Sequence, residues 1–138
     1  MAEVIGLVSS IIQVIGATTK TIQYLSDVKD APKERAKLAR EASSLVALLT
    51  DLRYKVEEVK STDPWFASVR SLGADMGPLQ QFRDAMEGLE RKLKPHTGIE
   101  KFGKALLWTI DKNDIKDILG KIERLKTTVG LALQMDHL

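Results

Sequence analysis

Apolar residues recur at alternating steps of three and four in several stretches of this sequence, and nowhere do they alternate at every second position. That spacing keeps one stripe of a helix dry and leaves no candidate for a half-buried strand. Leu38, Ala42, Leu45, Leu49, Leu52, Val56 and Val59 form the longest regular series, over about 33–60. Leu79, Phe82, Met86, Leu89 and Leu93 repeat the pattern between Gly77-Pro78 and Pro95, and Ile115, Ile118, Ile122, Leu125, Val129 and Ala132 repeat it near the end. Each series is the seam of a bundle helix. The architecture expected is all-α, a helical bundle of four long helices with one or two short ones. At 138 residues the chain has room for one core, so residues 1–138 read as a single domain.

The first long helix, expected from about Glu3 to Asp27, is less ordinary. Val4, Ile5, Val8, Ile11, Ile12, Ile15, Ile22 and Leu25 cover most of its circumference, and no charge falls between Val4 and Thr19. A helix apolar nearly all round is either enclosed in a core or intended for lipid. As a core element it should be the most enclosed helix of the bundle. As a membrane segment the uncharged run is about 24 Å long at about 1.5 Å per residue, slightly short of an apolar slab of about 30 Å. Ala2, Gly6 and Ser10 fall four apart, the small-residue spacing that lets helices approach closely in lipid, with a second small patch at Gly16-Ala17. The same glycines would equally serve tight packing inside a soluble bundle. Glu3, where a secretory leader would carry positive charge, argues against a signal peptide.

The connections carry their own signals. Asp30 and Pro32 suit the start of the second helix, and Thr62 or Asp63 can cap the segment Trp65–Gly73, a short helix closed by its glycine. Its aromatic pair, Trp65-Phe66, is expected to plug one end of the bundle. Arg35, Glu41, Arg53, Glu57 and Glu58 fall on the face of the second helix opposite its seam and should stay in water. A further short helix around Phe102, Leu106 and Ile110 should follow the His96-Thr97-Gly98 turn, with Asp111 or Asn113 capping the last helix.

Catalytic chemistry finds no foothold. Cysteine is absent, and His96 and His137 alone cannot supply a recognisable ligand set. Gly98–Ala105 approximates a phosphate-binding loop, but Ala105 stands where a hydroxyl must hold magnesium and no strand precedes Gly98. Asp111, Asn113, Asp114 and Asp117 lack the glycine and terminal glutamate of a calcium loop and suit a helix start instead. With 21 basic and 19 acidic residues interspersed, the net charge of +2 forms no stripe for nucleic acid. Lys33, Arg35, Lys37 and Arg40 could meet phosphates, but Glu34 and Glu41 interrupt them and a solvated face is the simpler reading. No enzyme activity, metal, cofactor or nucleic-acid partner is expected.

Three segments together give the chain a family likeness. The apolar start Ala2–Ser10, the middle Asp63–Gly73, and Lys121–Lys126 with Leu131–Gln134 resemble the fungal HeLo-like N-terminal domain of STAND and NLR-type receptors. Thr109 departs from the proline that relatives often carry after the tryptophan equivalent to Trp108. The resemblance implies a cytoplasmic cell-death effector of fungal non-self recognition and heterokaryon incompatibility. In that family the N-terminal helix is released, oligomerises and permeabilises membranes. The residues this would engage here are Glu3, Val4, Gly6, Val8, Ser10, Ile11, Ile15 and Gly16. Self-association and membrane lipids are the partners implied, together with downstream STAND NTPase and repeat domains or amyloid-motif proteins, none of which the sequence contains; it reads as an isolated domain or a small stand-alone member. The competing expectation is a passive adaptor or oligomerisation domain of a STAND receptor without membrane activity.

Overall fold

A computed structural model describes residues 2–26, 33–60, 62–93 and 112–135. They form an all-α bundle: α1 (Ala2–Ser26), α2 (Lys33–Glu58), the short α3 (Pro64–Val69), α4 (Pro78–Leu93) and α5 (Lys112–Met135), with a 3-10 turn at Arg70–Gly73. No strand occurs among the described residues. The expectations for Asp27, Asp30 and Pro32, for Pro95, His96, Trp108, Asp111 and His137, for Gly98–Ala105 and for the short helix around Phe102, Leu106 and Ile110 lie outside the described residues.

The long helices form a ring in the order α1, α2, α5, α4, each packing on its two ring neighbours. Every expected seam residue of α2 from Leu38 to Val56, of α4 from Leu79 to Leu89, and of α5 from Ile115 to Ala132 is buried. Val59, just past the end of α2, is half-buried. α1 and α2 are antiparallel, since the first half of α1 lines a groove with the final residues of α2. α1 and α4 run in the same direction: Ser10 lies by Gly73, Gln13 accepts from the Arg83 guanidinium, and Thr21 reaches Met86.

α3 closes the end where α1 begins. The Asp63 carboxylate accepts from the Trp65 backbone N–H at 2.8 Å, and Pro64 takes the first helical position. Trp65, Phe66 and Val69 are buried, and the Trp65 indole donates to the Ala132 carbonyl at 2.7 Å, tying α3 to the last turns of α5. The helix tightens into the 3-10 turn before Gly73. That glycine is not left-handed; its bare Cα makes room for α1, because a Cβ there would stand 2.9 Å from Leu7 Cδ1. Left-handed backbone falls instead on Met76, at φ 60°, held by its N–H donating to Gln80 Oε1 and its carbonyl accepting from Gln81 Nε2.

Arg35 departs from the solvated face expected for it. It is 2% exposed, and burial lowers its pKa from the ordinary arginine value. Its neighbours on the helix behave as expected: Lys33, Lys37 and Arg40 are exposed, and Arg53 and Glu57 pair at 2.7 Å on the surface. Glu41 turns to α5, where its carboxylate accepts from Lys126 Nζ at 2.9 Å.

Two outcomes follow from this packing. In Gly77→Ala the new Cβ would sit 2.8 Å from the Ala74 carbonyl and 3.1 Å from that of Ser71. Backbone cannot yield as a side chain can, so denaturant unfolding should show a loss of about 1–3 kcal/mol. The Lys126 hydrogen bond, and then its charge, lower the Glu41 pKa from its ordinary 4.5, and the same bond raises Lys126 from 10.5. A depressed carboxylate stabilises the fold above its unfolded pKa and stops doing so as pH falls through the folded one; a raised lysine stabilises below its unfolded pKa until pH climbs through the folded one. Glu41→Gln should therefore unfold more readily than the parent at neutral pH, and the gap should close on acidification below about 4.5.

Candidate functional site

α1 buries one stripe and leaves another open. Leu7, Ile11, Val14, Ala17, Thr18, Thr21 and Leu25 face inward and are buried. Ile5 is 66% exposed and Ile12 42%, with Gly6, Ser9, Gln13, Gly16, Thr19 and Lys20 also exposed. The helix is thus half-enclosed, contrary to its expected place as the most enclosed element. Among the described residues the reason is the ring: α2 lies on one flank and α4 on the other, and no described helix covers the third side.

The two buried threonines show how such a helix is made self-sufficient. Thr18 donates to the Val14 carbonyl at 2.7 Å and Thr21 to the Ala17 carbonyl at 2.9 Å, both within α1. Thr21 also makes a long 3.5 Å contact with the Met86 carbonyl. A hydroxyl bonded to its own helix carries its partner wherever the helix goes. The ties from α1 to its surroundings by Gln13 to Arg83 and by Glu3, 3.9 Å from Arg70, lie at the surface.

The eight residues singled out from the sequence divide among three settings. Ile11 is sealed in the core at 0% exposure. Val4, Val8, Ser10 and Ile15 are half-buried along the rims, and Glu3, Gly6 and Gly16 are exposed. Gly6 and Gly16 do not serve packing in the bundle, for a Cβ at either would meet nothing within 4 Å. The same holds for Gly120 and Gly130 of α5. Close approach to α1 is supplied by Gly73 of the facing turn instead.

Beside the open stripe runs a groove of about 850 Å³, walled by Val4, Ile5, Val8 and Ile12 on one side and by Glu57, Val59, Lys60 and Thr62 on the other. The α2 side of this groove was not foreseeable from periodicity, because Val59 reads as the last residue of an inward seam. The remaining exposed large apolar side chains gather towards the same end of the bundle: Tyr54 late in α2, Met76 before α4, and Leu131 and Met135 in the last turns of α5. A second cavity, of about 750 Å³, separates α4 from α5 between Phe82, Ala85, Lys121 and Leu125. Among the described residues no group of three His, Cys, Asp or Glu side chains is placed to hold a metal ion. What the α1 face offers is exposed hydrocarbon with few polar groups, suited to covering and not to bond-making chemistry.

No protein-family model, curated protein or solved structure matches this chain. The 23 residues Glu3–Leu25 are long and apolar enough to cross a membrane, by length and composition, with 28% of an 18-residue window of that stretch buried in the bundle.

Because neither glycine has a packing role in the bundle, Gly6→Ala and Gly16→Ala should each stabilise the protein by about 1 kcal/mol, the usual helix-interior difference. Thermal unfolding followed at 222 nm should rise by about 3–5 °C per substitution.

Proposed function

We propose that this chain is a HeLo-like effector domain that permeabilises membranes, with α1 exchanging its protein neighbours for lipid and for copies of itself. The observation that carries this reading is that α1 keeps a complete uncharged face outside the core while its inner face is held mainly by apolar packing.

The energetics favour an exchange over a simple opening. Withdrawing Leu7, Ile11, Val14 and Leu25 into water would cost about 1.5–3 kcal/mol for each side chain, and it would also bare the seams of α2 and α4. The closed bundle is therefore the resting state in water. Hydrocarbon returns that cost for α1 and adds the gain from Ile5 and Ile12, which the bundle leaves wet. Thr18 and Thr21 bring their carbonyl partners with them. As a helix Glu3–Leu25 measures about 34 Å, enough to span about 30 Å of hydrocarbon. Its two charges, Glu3 and Lys20, sit near the ends, where a carboxylate can stay at the interface and a lysine can extend its ammonium to the headgroups. Gly6 and Gly16, idle in the bundle, then give neighbouring helices a close contact in lipid.

The decisive measurement is dye release from anionic liposomes by the full chain and by Gly6→Leu/Gly16→Leu. Open space at both positions lets the double variant keep the bundle, which circular dichroism verifies. Deleting α1 is a poorer test, because it removes Leu7, Ile11 and Val14 from the core. Leakage by the parent and its loss in the folded variant are expected, since about 1.4 kcal/mol per blocked contact lowers assembly about tenfold. Equal leakage by the two proteins, or none by the parent, would end the proposal.

A further inference from the structure

The groove between α1 and the end of α2 has two unlike ends. Val4, Ile5, Val8 and Ile12 make one wall over about 12 Å of helix, at about 1.5 Å per residue, and Val59 lines it from the α2 side. At the Ile12 end the polar side chains already have partners: Gln13 donates to Ser9 Oγ at 3.4 Å and accepts from the Arg83 guanidinium. That end asks nothing polar of an occupant. Because α1 and α2 are antiparallel, Lys60 and Thr62 fall at the other end, towards Val4.

The charges around the groove favour one sign of ligand. Glu57 on its wall is paired with Arg53 at 2.7 Å, and the Asp63 carboxylate is turned to α3, where it accepts from the Trp65 N–H at 2.8 Å. Glu3 has Arg70 of the 3-10 turn 3.9 Å away. Lys60 is exposed and, among the described residues, has no ion partner within the bundle. Hydrocarbon walls with a single unanswered cation at one end match a ligand of the same order, an acyl chain ending in a carboxylate. The volume of about 850 Å³ lies within the span of small-ligand sites, about 300–1,000 Å³.

We propose that this groove binds a free fatty acid, with the carboxylate at Lys60 and Thr62 and the chain laid along Val4, Val8 and Ile12. Withdrawal of the chain from water supplies the affinity, about fourfold for each methylene, while the solvent-exposed ion pair chiefly selects direction. The bound chain covers part of the open stripe of α1, because Ile5 and Ile12 belong to both stripe and groove. Binding itself does not depend on membrane activity, and it is tested without bilayers.

Calorimetric titration of the full chain with octanoate, decanoate and dodecanoate, each below its micellar concentration, tests the site and its direction. One saturable site is expected, with affinity rising about fourfold per methylene. Dodecyltrimethylammonium, of equal chain length and opposite charge, should bind more weakly. Lys60→Glu turns an exposed attraction into a repulsion of similar size, so it should weaken dodecanoate about tenfold and strengthen the ammonium probe. Ile12→Asp, at the far end of the groove, should weaken dodecanoate more than octanoate. Both substitutions are at exposed positions, and circular dichroism verifies that the variants are folded. Absence of a saturable site would overturn the proposal. So would dodecanoate binding that either substitution leaves unchanged, since that is detergent-like association with the bundle surface. A parent that scatters light as a dimer of 15.3 kDa chains and takes up no dodecanoate would also overturn it and assign the groove to a second copy. Failure of liposome leakage beside dodecanoate binding that depends on Lys60 would remove the membrane reading and leave the ligand site.

Discussion

The inner stripe of α1, wedged between α2 and α4, is what the rest of the bundle is arranged around. Leu7, Ile11, Val14 and Leu25 supply α2 and α4 with their shared neighbour, and α5 closes the ring from the far side. α3 and its 3-10 turn then seal the end beside Leu7, where Gly73 yields the space that a Cβ would have taken. A ring of four helices has one core and gives each member one buried stripe. A helix apolar on every side has more dry surface than such a ring can use, and the surplus must face outward. The open groove and the exposed isoleucines are consequences of that mismatch between the composition of α1 and the geometry of the bundle.

How the surplus is tolerated in water is visible in the same residues. The outer stripe interrupts its two isoleucines with serine, glycine and threonine, so large apolar groups are never adjacent along the line. Such spacing keeps the patch small enough for a soluble protein while preserving the periodicity a partner helix can read. Inside, the threonines bond to α1 itself, so the helix makes few polar commitments to its neighbours. A helix held mainly by dispersion and water exclusion can change one apolar environment for another with little loss.

Much of this was legible in the residues. The seams of α2, α4 and α5 each have one apolar stripe and one charged face, and periodicity then has a single answer. The Asp63 cap and the Trp65-Phe66 plug were readable for a similar reason, since a capping carboxylate before a proline and two large aromatics in a chain with few of them leave little choice. α1 defeated the same reasoning because every rotation of the helix presents apolar residues. Leu7 and Val14 face inward while Ile5 and Ile12 do not, and Thr18 and Thr21 can share the inner face because their hydroxyls bond to the preceding turn. Arg35 is buried although its offset from the seam of α2 places it on the outward face, because a face assigned by sequence offset alone records nothing of tertiary packing. Gly73 looked like a helix-ending glycine, but its function is set by the nearness of Leu7, a contact across more than sixty residues that no local pattern records.

The open stripe of α1 is the part of the helix that a membrane can meet without the bundle opening. In the proposed exchange hydrocarbon covers Ile5 and Ile12 first and then offers the inner stripe of Leu7, Ile11 and Val14 an environment no wetter than the one it leaves. The order matters, because the first step leaves the core intact while the second gives up the packing of α1 between α2 and α4. Two isoleucines separated by small residues supply a first contact of modest affinity, weak enough that the closed bundle stays the resting state in water.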